Sequence, residues 1–242
     1  FVNEIDERRP HVVSLQEVLR FVLLDSNLEI TSELDFLEEI EKEIALRNLP
    51  YKTEVVQNAT SSRLPLGFDP SVGVTQWLSF TDRVVILRRS DVDVVDSAQG
   101  LYNAFVPLGA LDLVRGWARI TVNHNGTPHH FLATHLETQG IPGVNLAQGI
   151  ELETQVLAGL EGVTIISGDL NSDAAAIEGA VSWTPTYSNL MAAGFTDVWD
   201  VAPARRGELG VTCCQDPSLQ NESELDQRID FVLVRSTETA AE

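Results

Sequence analysis

Short apolar runs rich in β-branched residues recur along the chain and predict strands. These runs are HVVSLQEV (11–18), the segments 83–88, 92–96, 116–123, 129–134 and 163–167, and RIDFVLVR (228–235). Asn125-Gly126 stands between two of the runs and predicts a hairpin turn. Residues 58–80 are rich in Pro, Gly, Ser and Asn, and this composition predicts a long loop.

Apolar residues at helical spacing predict three helices. Residues 1–9 favour a short helix that ends before Pro10, and its apolar side is formed by Phe1, Val2 and Ile5. The clearest helix is TSELDFLEEIEKEIALRN (31–48), with Ser32 as N-cap and Asp35 at the third position. Its apolar stripe consists of Leu34, Leu37, Ile40 and Ile44. A third helix is expected from residue 145 to about 160, and its packing residues are Leu146, Ile150, Leu152, Val156 and Leu157.

Composition places the chain among ordinary globular proteins. Hydrophobic residues make up 43% of the 242 residues and the mean hydropathy is near zero, which argues against a disordered chain. There is no repeat and no linker, so we expect one mixed α/β domain over residues 1–242. No apolar run approaches the length of a membrane span, and the first residues are not a signal peptide. A soluble monomer is therefore expected, with a secreted location slightly favoured over a cytoplasmic one.

Charge and cysteine usage narrow the classes of partner. The formal net charge of −20 repels polyanions, so it disfavours broad binding to nucleic-acid backbones without metal ions or a local basic strip. Cys213 and Cys214 are adjacent, and neighbouring residues rarely reach disulfide geometry without strain. The chain has no C-x-x-C zinc pattern. We expect two buried thiols, with a vicinal disulfide as the alternative.

Polar residues stand at the ends of several predicted strands or within them. Glu17 closes VVSLQE, His135 closes HFLATH, and Asp230 interrupts RIDFVLV. Asp169 and Asn171 end the run VTIISGDLN, and they point to the same side while the chain stays extended. Because Gly, Asp, Asn and Ser are all turn formers, this last stretch alone is equally compatible with a turn. Together, two carboxylates and an amide beside an imidazole suit a divalent metal, and sites in open α/β sheets gather at strand ends.

Four of these stretches, in this order, resemble the endonuclease/exonuclease/phosphatase superfamily. They are LQE (15–17), THLE (134–137), GDLN (168–171) and RIDFVLV (228–234). A bacterial subgroup is similar in four further stretches, TDR (81–83), RGW (115–117), AGFTDVW (193–199) and TCCQ (212–215). The superfamily includes deoxyribonuclease-like enzymes, abasic-site endonucleases, neutral sphingomyelinases and inositol polyphosphate phosphatases. The resemblance implies a four-layer α-β-β-α sandwich, with two mainly antiparallel sheets packed face to face and helices outside.

The resemblance also implies roles for the polar residues. Glu17 would hold Mg²⁺, with Mn²⁺ possible in its place. Asp169 would orient and activate the attacking water, and Asn171 would help to place the water or the phosphate. His135 would contact the scissile phosphate and stabilise charge in the transition state. Asp230 matches an acid that forms a hydrogen bond to a second histidine near the C-terminus in the family.

Two further charged residues, Arg115 and Asp82, each have two possible roles. Arg115 lies on the predicted strand before the hairpin and could donate to a phosphate, as phosphoryl chemistry requires, or form a surface ion pair. Asp82 precedes Arg83, and a role as a loop cap is favoured over a role in the site.

The implied function is a Mg²⁺-dependent hydrolase that cleaves a phosphoester by attack of water, with a phosphodiester favoured over a monoester. The substrate would be a small molecule, a lipid headgroup or a nucleic acid. The alternatives are a non-catalytic binding module on the same scaffold and a nuclease acting on DNA.

The family begins with a strand that ends in a metal-side Asn and closes with a Ser-Asp-His sequence. The chain opens in the helix before LQE, so Asn3 cannot supply that Asn, and it closes with STETAAE. We therefore expect a fragment of a longer enzyme, with impaired turnover.

Overall fold

Two mainly antiparallel sheets dominate the structure, a computed structural model that describes residues 1–109, 111–181, 183–203, 207–216, 218, 220 and 222–237. The strands are β1 (Val12–Leu15), β2 (Arg20–Asp25), β3 (Ile30–Asp35), β4 (Tyr51–Asp69), β5 (Gly73–Arg89), β6 (Val94–Leu101), β7 (Val106–Pro107), β8 (Asp112–Leu113), β9 (Gly116–His124), β10 (Thr127–His135), β11 (Val163–Asp169), β12 (Thr196–Asp197) and β13 (Asp230–Ser236). The helices are α1 (Val2–Arg8), α2 (Phe36–Leu46), α3 (Pro142–Glu151), α4 (Thr186–Ala192) and α5 (Val198–Val201). No described helix is both long enough and apolar enough to cross a membrane.

The strand order determines which strand ends lie side by side in each sheet. In the first sheet, β5 pairs with β1, β2 and β4, and β3 pairs with β2. The second sheet has the order β12-β13-β11-β10-β9-β6 and is antiparallel except between β10 and β11. Because β10 and β11 are parallel neighbours, their carboxyl ends lie side by side.

Three apolar layers hold the sandwich together. Val84 and Ile86 of β5 pack toward the second sheet, whereas Val85 and Leu87 pack under α1 and α2, so this strand is buried on both faces. A third cluster joins the second sheet to α4 and to the turn Leu152–Val156 after α3, and includes Leu132, Ile166, Leu190 and Leu233. The predicted four-layer α-β-β-α sandwich is confirmed.

The helix predicted over 31–48 is wrong in its first part. Residues Ile30–Asp35 form β3, paired with β2, and α2 begins only at Phe36. The N-cap is Asp35 rather than Ser32, because the Asp35 carboxylate accepts from the N–H groups of Leu37 at 2.9 Å and Glu38 at 3.2 Å. Leu34 therefore lies outside the apolar stripe and is 47% exposed.

The loop predicted over 58–80 is also wrong, since these residues form most of a long β4–β5 hairpin. Asp69 accepts from the Ser71 N–H at 2.7 Å in the turn, and Gly73 adopts a φ of 85°. Register shifts between Asn58 and Ser61, and again around Pro65, absorb the residues that disfavour a regular strand. Much of the part of the hairpin near its turn is exposed, so its sequence lacks the apolar pattern by which strands are predicted.

The third predicted helix begins earlier and faces differently. It starts at Pro142, and after Glu151 it continues as a π-helical turn, Leu152–Val156. The buried residues of α3 are Asn145, Gln148 and Gly149, whereas Ile150 is 48% exposed. Buried amide side chains replace the expected apolar contacts because they bind backbone groups of nearby loops.

Other predicted elements differ mainly in their bounds. The N-terminal helix, the Asn125-Gly126 hairpin and the strands β9, β10 and β11 are confirmed. The strand predicted at 92–96 is longer, Val94–Leu101, and β1 is shorter and only half-buried. The strand predicted at 228–235 begins at Asp230 and is buried on one face only, since Val232 is 46% exposed.

The expectation of two buried thiols is wrong. Cys213 and Cys214 form a vicinal disulfide, and Cys214 is exposed. The pair lies in a loop that runs beside β13, where Cys213 forms an isolated bridge with Gln227. None of the three apolar clusters of the described residues includes Cys213 or Cys214, so the sulfur atoms lie outside the described core.

Candidate active site

Strand register places three of the predicted site residues in one row. His135 on β10 is the direct neighbour of Asp169 on β11, and Asp169 is the direct neighbour of Asp230 on β13. Side chains at paired positions of neighbouring strands point to the same face of a sheet. Gly116 of β9 continues the row beside His135, which places Arg115 next to it in sequence.

Two carboxylates of the first sheet lie close to this row. Glu17 follows β1 in a left-handed conformation with a φ of 53°, and its side chain is exposed. Asp82 belongs to β5 and is buried. The Ser14 and Ser167 hydroxyl oxygens are 2.5 Å apart and link the two sheets beneath this end of the sandwich.

His135 is held as a neutral imidazole of one tautomer. Its Nδ1 lies 3.0 Å from a guanidinium nitrogen of Arg115, which can only donate, so Nδ1 must accept. The proton is then on Nε2, which lies 3.6 Å from Oδ2 of Asp169. Burial, together with the charge of Arg115, lowers the pKa of His135 to about 3. The ring therefore offers the site an uncharged N–H donor.

Arg115 is engaged in ion pairs inside the site. Its guanidinium contacts both carboxylate oxygens of Glu137 at 3.3 Å and one oxygen of Asp82 at 3.4 Å. Only 13% of the Arg115 side chain is exposed. This arrangement corresponds to the ion-pair alternative, but the pairs are internal rather than on the surface.

The residues around Asp169 form a tight turn, and the pKa of the Asp169 carboxylate lies near neutral pH. A Cβ on Gly168 would lie 2.0 Å from the carbonyl oxygen of Thr134, so only glycine lets β10 and β11 approach this closely. Burial first, then the charges of Asp230 and Glu17, raises the pKa of Asp169 to about 7. Oδ1 of Asp169 accepts from the N–H of Asn171 at 2.8 Å, so the stretch forms a turn within the candidate site.

The amide of Asn171 has a fixed orientation. The residue is buried, with a φ of 46°, and its Nδ2 donates to the carbonyl of Leu136 at 2.9 Å. Within the described part of the chain, its Oδ1 forms no hydrogen bond. This oxygen is therefore the atom that the amide can offer to a ligand.

Asp230 lies at the exposed end of the row. The Thr212 hydroxyl accepts from the backbone N–H groups of Ile229 at 3.3 Å and Asp230 at 3.2 Å, which ties the disulfide loop to β13. The Asp230 residue is exposed to water, yet the partial burial of its carboxylate by the surrounding protein raises the pKa of this group. A histidine partner for Asp230 remains a prediction.

Asp82 is a member of the cluster for which the sequence favoured a role outside the site. It lies within β5, not in a loop, so the favoured role of loop cap is wrong. Its Oδ1 is fully buried and has no hydrogen-bond partner among the described residues. Burial first, and then the charge of Glu17, raises its pKa against the opposing effect of Arg115. The available signal was an acid two residues before the apolar run VVIL (84–87).

Two buried amides of α3 support the site and were also missed. Asn145 donates to the carbonyls of Glu137 at 2.6 Å and Leu170 at 2.9 Å, and its own Oδ1 accepts from Thr186 at 2.6 Å. Gln148 accepts from the backbone N–H of Glu137 at 2.7 Å. These contacts fix the segments that follow β10 and β11. No periodicity in the sequence distinguishes such amides from exposed ones.

The oxygen ligands near Glu17 are compatible with Mg²⁺. Within the described residues, no three His, Cys, Asp or Glu side chains are grouped closely enough to enclose a metal ion. Mg²⁺ commonly uses only one or two protein carboxylates and keeps several waters. Glu17 and the unpaired oxygen of Asp82 provide two, and Asp82 and Asp169 each lie close enough to Glu17 for its charge to raise their pKa values, after the larger effect of burial. The residues present therefore fit a hard divalent cation.

The sandwich defines the class of fold, that of the endonuclease/exonuclease/phosphatase proteins. A protein of that family from Leptotrichia buccalis is 17% identical, with a TM-score of 0.60, covering 95% of this chain and 77% of that chain. The human Nocturnin catalytic domain with bound sulfate is 14% identical, with a TM-score of 0.55 and coverage of 96% and 72%. A mannosyl-6-phosphatase from Bacteroides thetaiotaomicron is 14% identical, with a TM-score of 0.53 and coverage of 97% and 74%. The sequence matches no family model and no curated protein.

Proposed function

We propose that the chain hydrolyses a phosphoester, with a phosphodiester favoured over a monoester, and that the reaction requires Mg²⁺ or Mn²⁺. The observation that supports this most is the row of His135, Asp169 and Asp230, with the carboxylates of Glu17 and Asp82 close to it from the other sheet. The similar folds include a phosphatase, which favours phosphoester chemistry for this site.

Asp169 is the residue suited to accept the proton of the attacking water. A pKa of about 7 makes its carboxylate a useful base at neutral pH. The water oxygen forms a bond to phosphorus while the P–O bond to the leaving group breaks. The leaving oxygen takes a proton from solvent, so a diester yields a phosphomonoester and an alcohol.

His135 and Asn171 would position the reacting groups. The Nε2–H of His135 would donate to a phosphoryl oxygen, as a neutral donor rather than as a cation. The free Oδ1 of Asn171 would accept from the water. Arg115 would act through His135, since its ion pairs hold the guanidinium in place and its contact with Nδ1 fixes the tautomer of the ring.

Glu17, with Asp82, would hold the divalent cation. When bound, that cation supplies Lewis-acid stabilisation of the negative charge that develops on the phosphoryl oxygens. His135 is neutral and Arg115 is paired with carboxylates, so neither supplies much of this stabilisation.

A panel of activated phosphodiesters and phosphomonoesters tests the proposal. Hydrolysis should vanish with an excess of chelator and return with Mg²⁺ or Mn²⁺. Glu17→Gln should raise the Mg²⁺ concentration required for half-maximal rate, whereas Asp169→Asn should lower kcat by about 10²–10⁴. Glu38→Gln, an exposed residue of α2, is the matched control. Undiminished hydrolysis in excess chelator would contradict metal dependence, and no hydrolysis of any ester with Mg²⁺ would favour the binding module.

A further inference from the structure

A cavity of about 430 Å³ opens directly beside Asp230, the last member of the catalytic row. It lies along β13 beyond the two-residue strand β12, and the segment around Gly210 covers it. Its walls are mainly apolar and include Val198, Trp199, Val211, Phe231 and Val232. A cavity of this size is typical of a site for one organic group rather than for a polymer.

The indole of Trp199 forms a fixed wall of this cavity. Its Nε1 donates to the carbonyl of Glu208 at 3.1 Å, and its backbone N–H donates to Asp197 at 2.9 Å. The backbone at Gly210 lies against the ring, since a Cβ there would be 2.4 Å from an indole carbon. The wall is therefore formed before any ligand enters, which lowers the entropy cost of binding.

The charges around the cavity disfavour an anionic occupant. Arg228 is the sole cation among the described lining residues, and its guanidinium is already paired with Asp197 and, at 3.0 Å, with Asp200. It also lies 5.2 Å from the centre of the Phe231 ring. The remaining ionisable side chains of the described lining, Asp197 and Asp230, are acids. Among the described lining residues, a second phosphate or a carboxylate would find no available cationic partner.

We infer that this cavity binds an uncharged aromatic ester group of the phosphoester, with Trp199 as its main contact. The part of the inference that concerns the reaction rests on the proposed function. The part that concerns binding of an aromatic group in the cavity does not. The substrate is then a phosphoester whose phosphorus carries an uncharged aromatic ester group, rather than a polynucleotide. The indole face and the apolar walls supply the contact area, and Asp230 joins the cavity to the reacting phosphorus.

Two diesters with the same leaving group test the substrate class. Bis(4-nitrophenyl) phosphate retains an aromatic ester group during reaction, whereas methyl 4-nitrophenyl phosphate retains a methyl group. The ratio of their kcat/KM values should fall about tenfold in Trp199→Ala and in Val232→Gln, because apolar contacts in a pocket discriminate by such factors. Val232 is 46% exposed, so its substitution keeps the test valid if Trp199→Ala does not fold. Leu46→Gln, 77% exposed on α2, is the control and should leave the ratio unchanged.

Binding of a neutral probe separates this inference from the proposed function. The ¹⁹F line of 4-fluorobenzyl alcohol should broaden with the wild type and with Leu46→Gln, and should broaden less with Val232→Gln. Probe binding without any phosphoester hydrolysis would overturn the proposed function and leave the cavity assignment standing. Hydrolysis with an unchanged ratio in both cavity variants, or equal broadening by wild type and Val232→Gln, would overturn the cavity assignment.

Discussion

The guanidinium of Arg115 contacts three side chains, and each contact changes the chemistry of the site. Glu137 and Asp82 neutralise it, so the buried cation is paired on both sides. Its third contact, to Nδ1 of His135, fixes the proton on Nε2 and keeps the ring uncharged. Two acids are therefore bound to one arginine, and one of them, Asp82, keeps a buried oxygen without a partner. Such an oxygen is unfavourable for stability unless a ligand occupies it.

Asp82→Asn should separate stability from activity. The raised pKa of Asp82 means that burial and repulsion from Glu17 outweigh its attraction to Arg115. The folded state then favours the protonated acid, so the ionised acid reduces stability at neutral pH and the reduction disappears as pH falls. We expect the neutral amide to leave Tm unchanged or higher, while kcat/KM falls about 10- to 100-fold because Arg115 and His135 lose a positioning contact.

Thermal unfolding and kinetics with saturating Mg²⁺ are the two measurements. Asp96→Asn removes an exposed acid that pairs with Arg119, and it should change neither quantity. A large drop in Tm for Asp82→Asn would show that Asp82 serves stability rather than the site.

A strand or helix could be predicted from the sequence where each of its faces lies in a single environment along its length. The residues of β9, β10 and β11 alternate toward two buried layers, and their apolar runs predicted them. β3 was hidden because TSELD is exposed on most of its length, so its spacing was extended into the helix that follows. Residues 58–80 were hidden because bulges and solvent exposure remove the alternation of a strand.

The candidate site was predictable to the same extent. Glu17, His135, Asp169 and Asp230 each end or interrupt an apolar run, and such polar residues are conspicuous in a sequence. The contribution of Asn145 was not predictable, because its partners are backbone groups of two segments that only the parallel pairing of β10 and β11 brings together. A contact of this kind depends on tertiary structure and leaves no local pattern.

Asn145→Leu tests whether α3 holds the site in register. The substitution keeps the number and branching of the side-chain heavy atoms but leaves the carbonyls of Glu137 and Leu170 without their donor in a fully buried position. Each unsatisfied buried group costs about 1–3 kcal/mol, so for the two carbonyls we expect the free energy of unfolding to fall by about 2–6 kcal/mol. Activity should fall as well, because Asn171 follows Leu170 directly.

Urea unfolding and kcat/KM at a temperature where both variants are folded provide the readouts. Asn189→Leu, at an exposed position of α4, is the matched control and should change the free energy of unfolding by less than about 0.5 kcal/mol. Wild-type stability of Asn145→Leu would mean that the loop carbonyls find other donors.

At the scale of the whole molecule, charge and cavity point to the same class of substrate. The net charge of −20 surrounds a site whose described cations, Arg115 and Arg228, are both paired with carboxylates. A long polyanion would be repelled over distances that extend well beyond the site at low salt, since the Debye length is about 30 Å at 0.01 M. A small ester is exposed only to the field at the site, where a bound divalent cation reverses the sign.

The dependence of hydrolysis on ionic strength should therefore differ between substrates. At fixed saturating Mg²⁺, we expect kcat/KM for a 20-nucleotide single strand to rise several-fold from about 0.01 M to about 0.1 M salt, because screening weakens the repulsion of a chain with many phosphates. The value for bis(4-nitrophenyl) phosphate should change less than about twofold over the same range, since this ester carries one charge. A dinucleotide should lie between the two. The opposite slope, with oligonucleotide cleavage falling steeply as salt rises, is the behaviour of proteins that neutralise phosphates with Lys and Arg. That result would reveal a basic strip outside the described residues and would favour a nuclease acting on DNA.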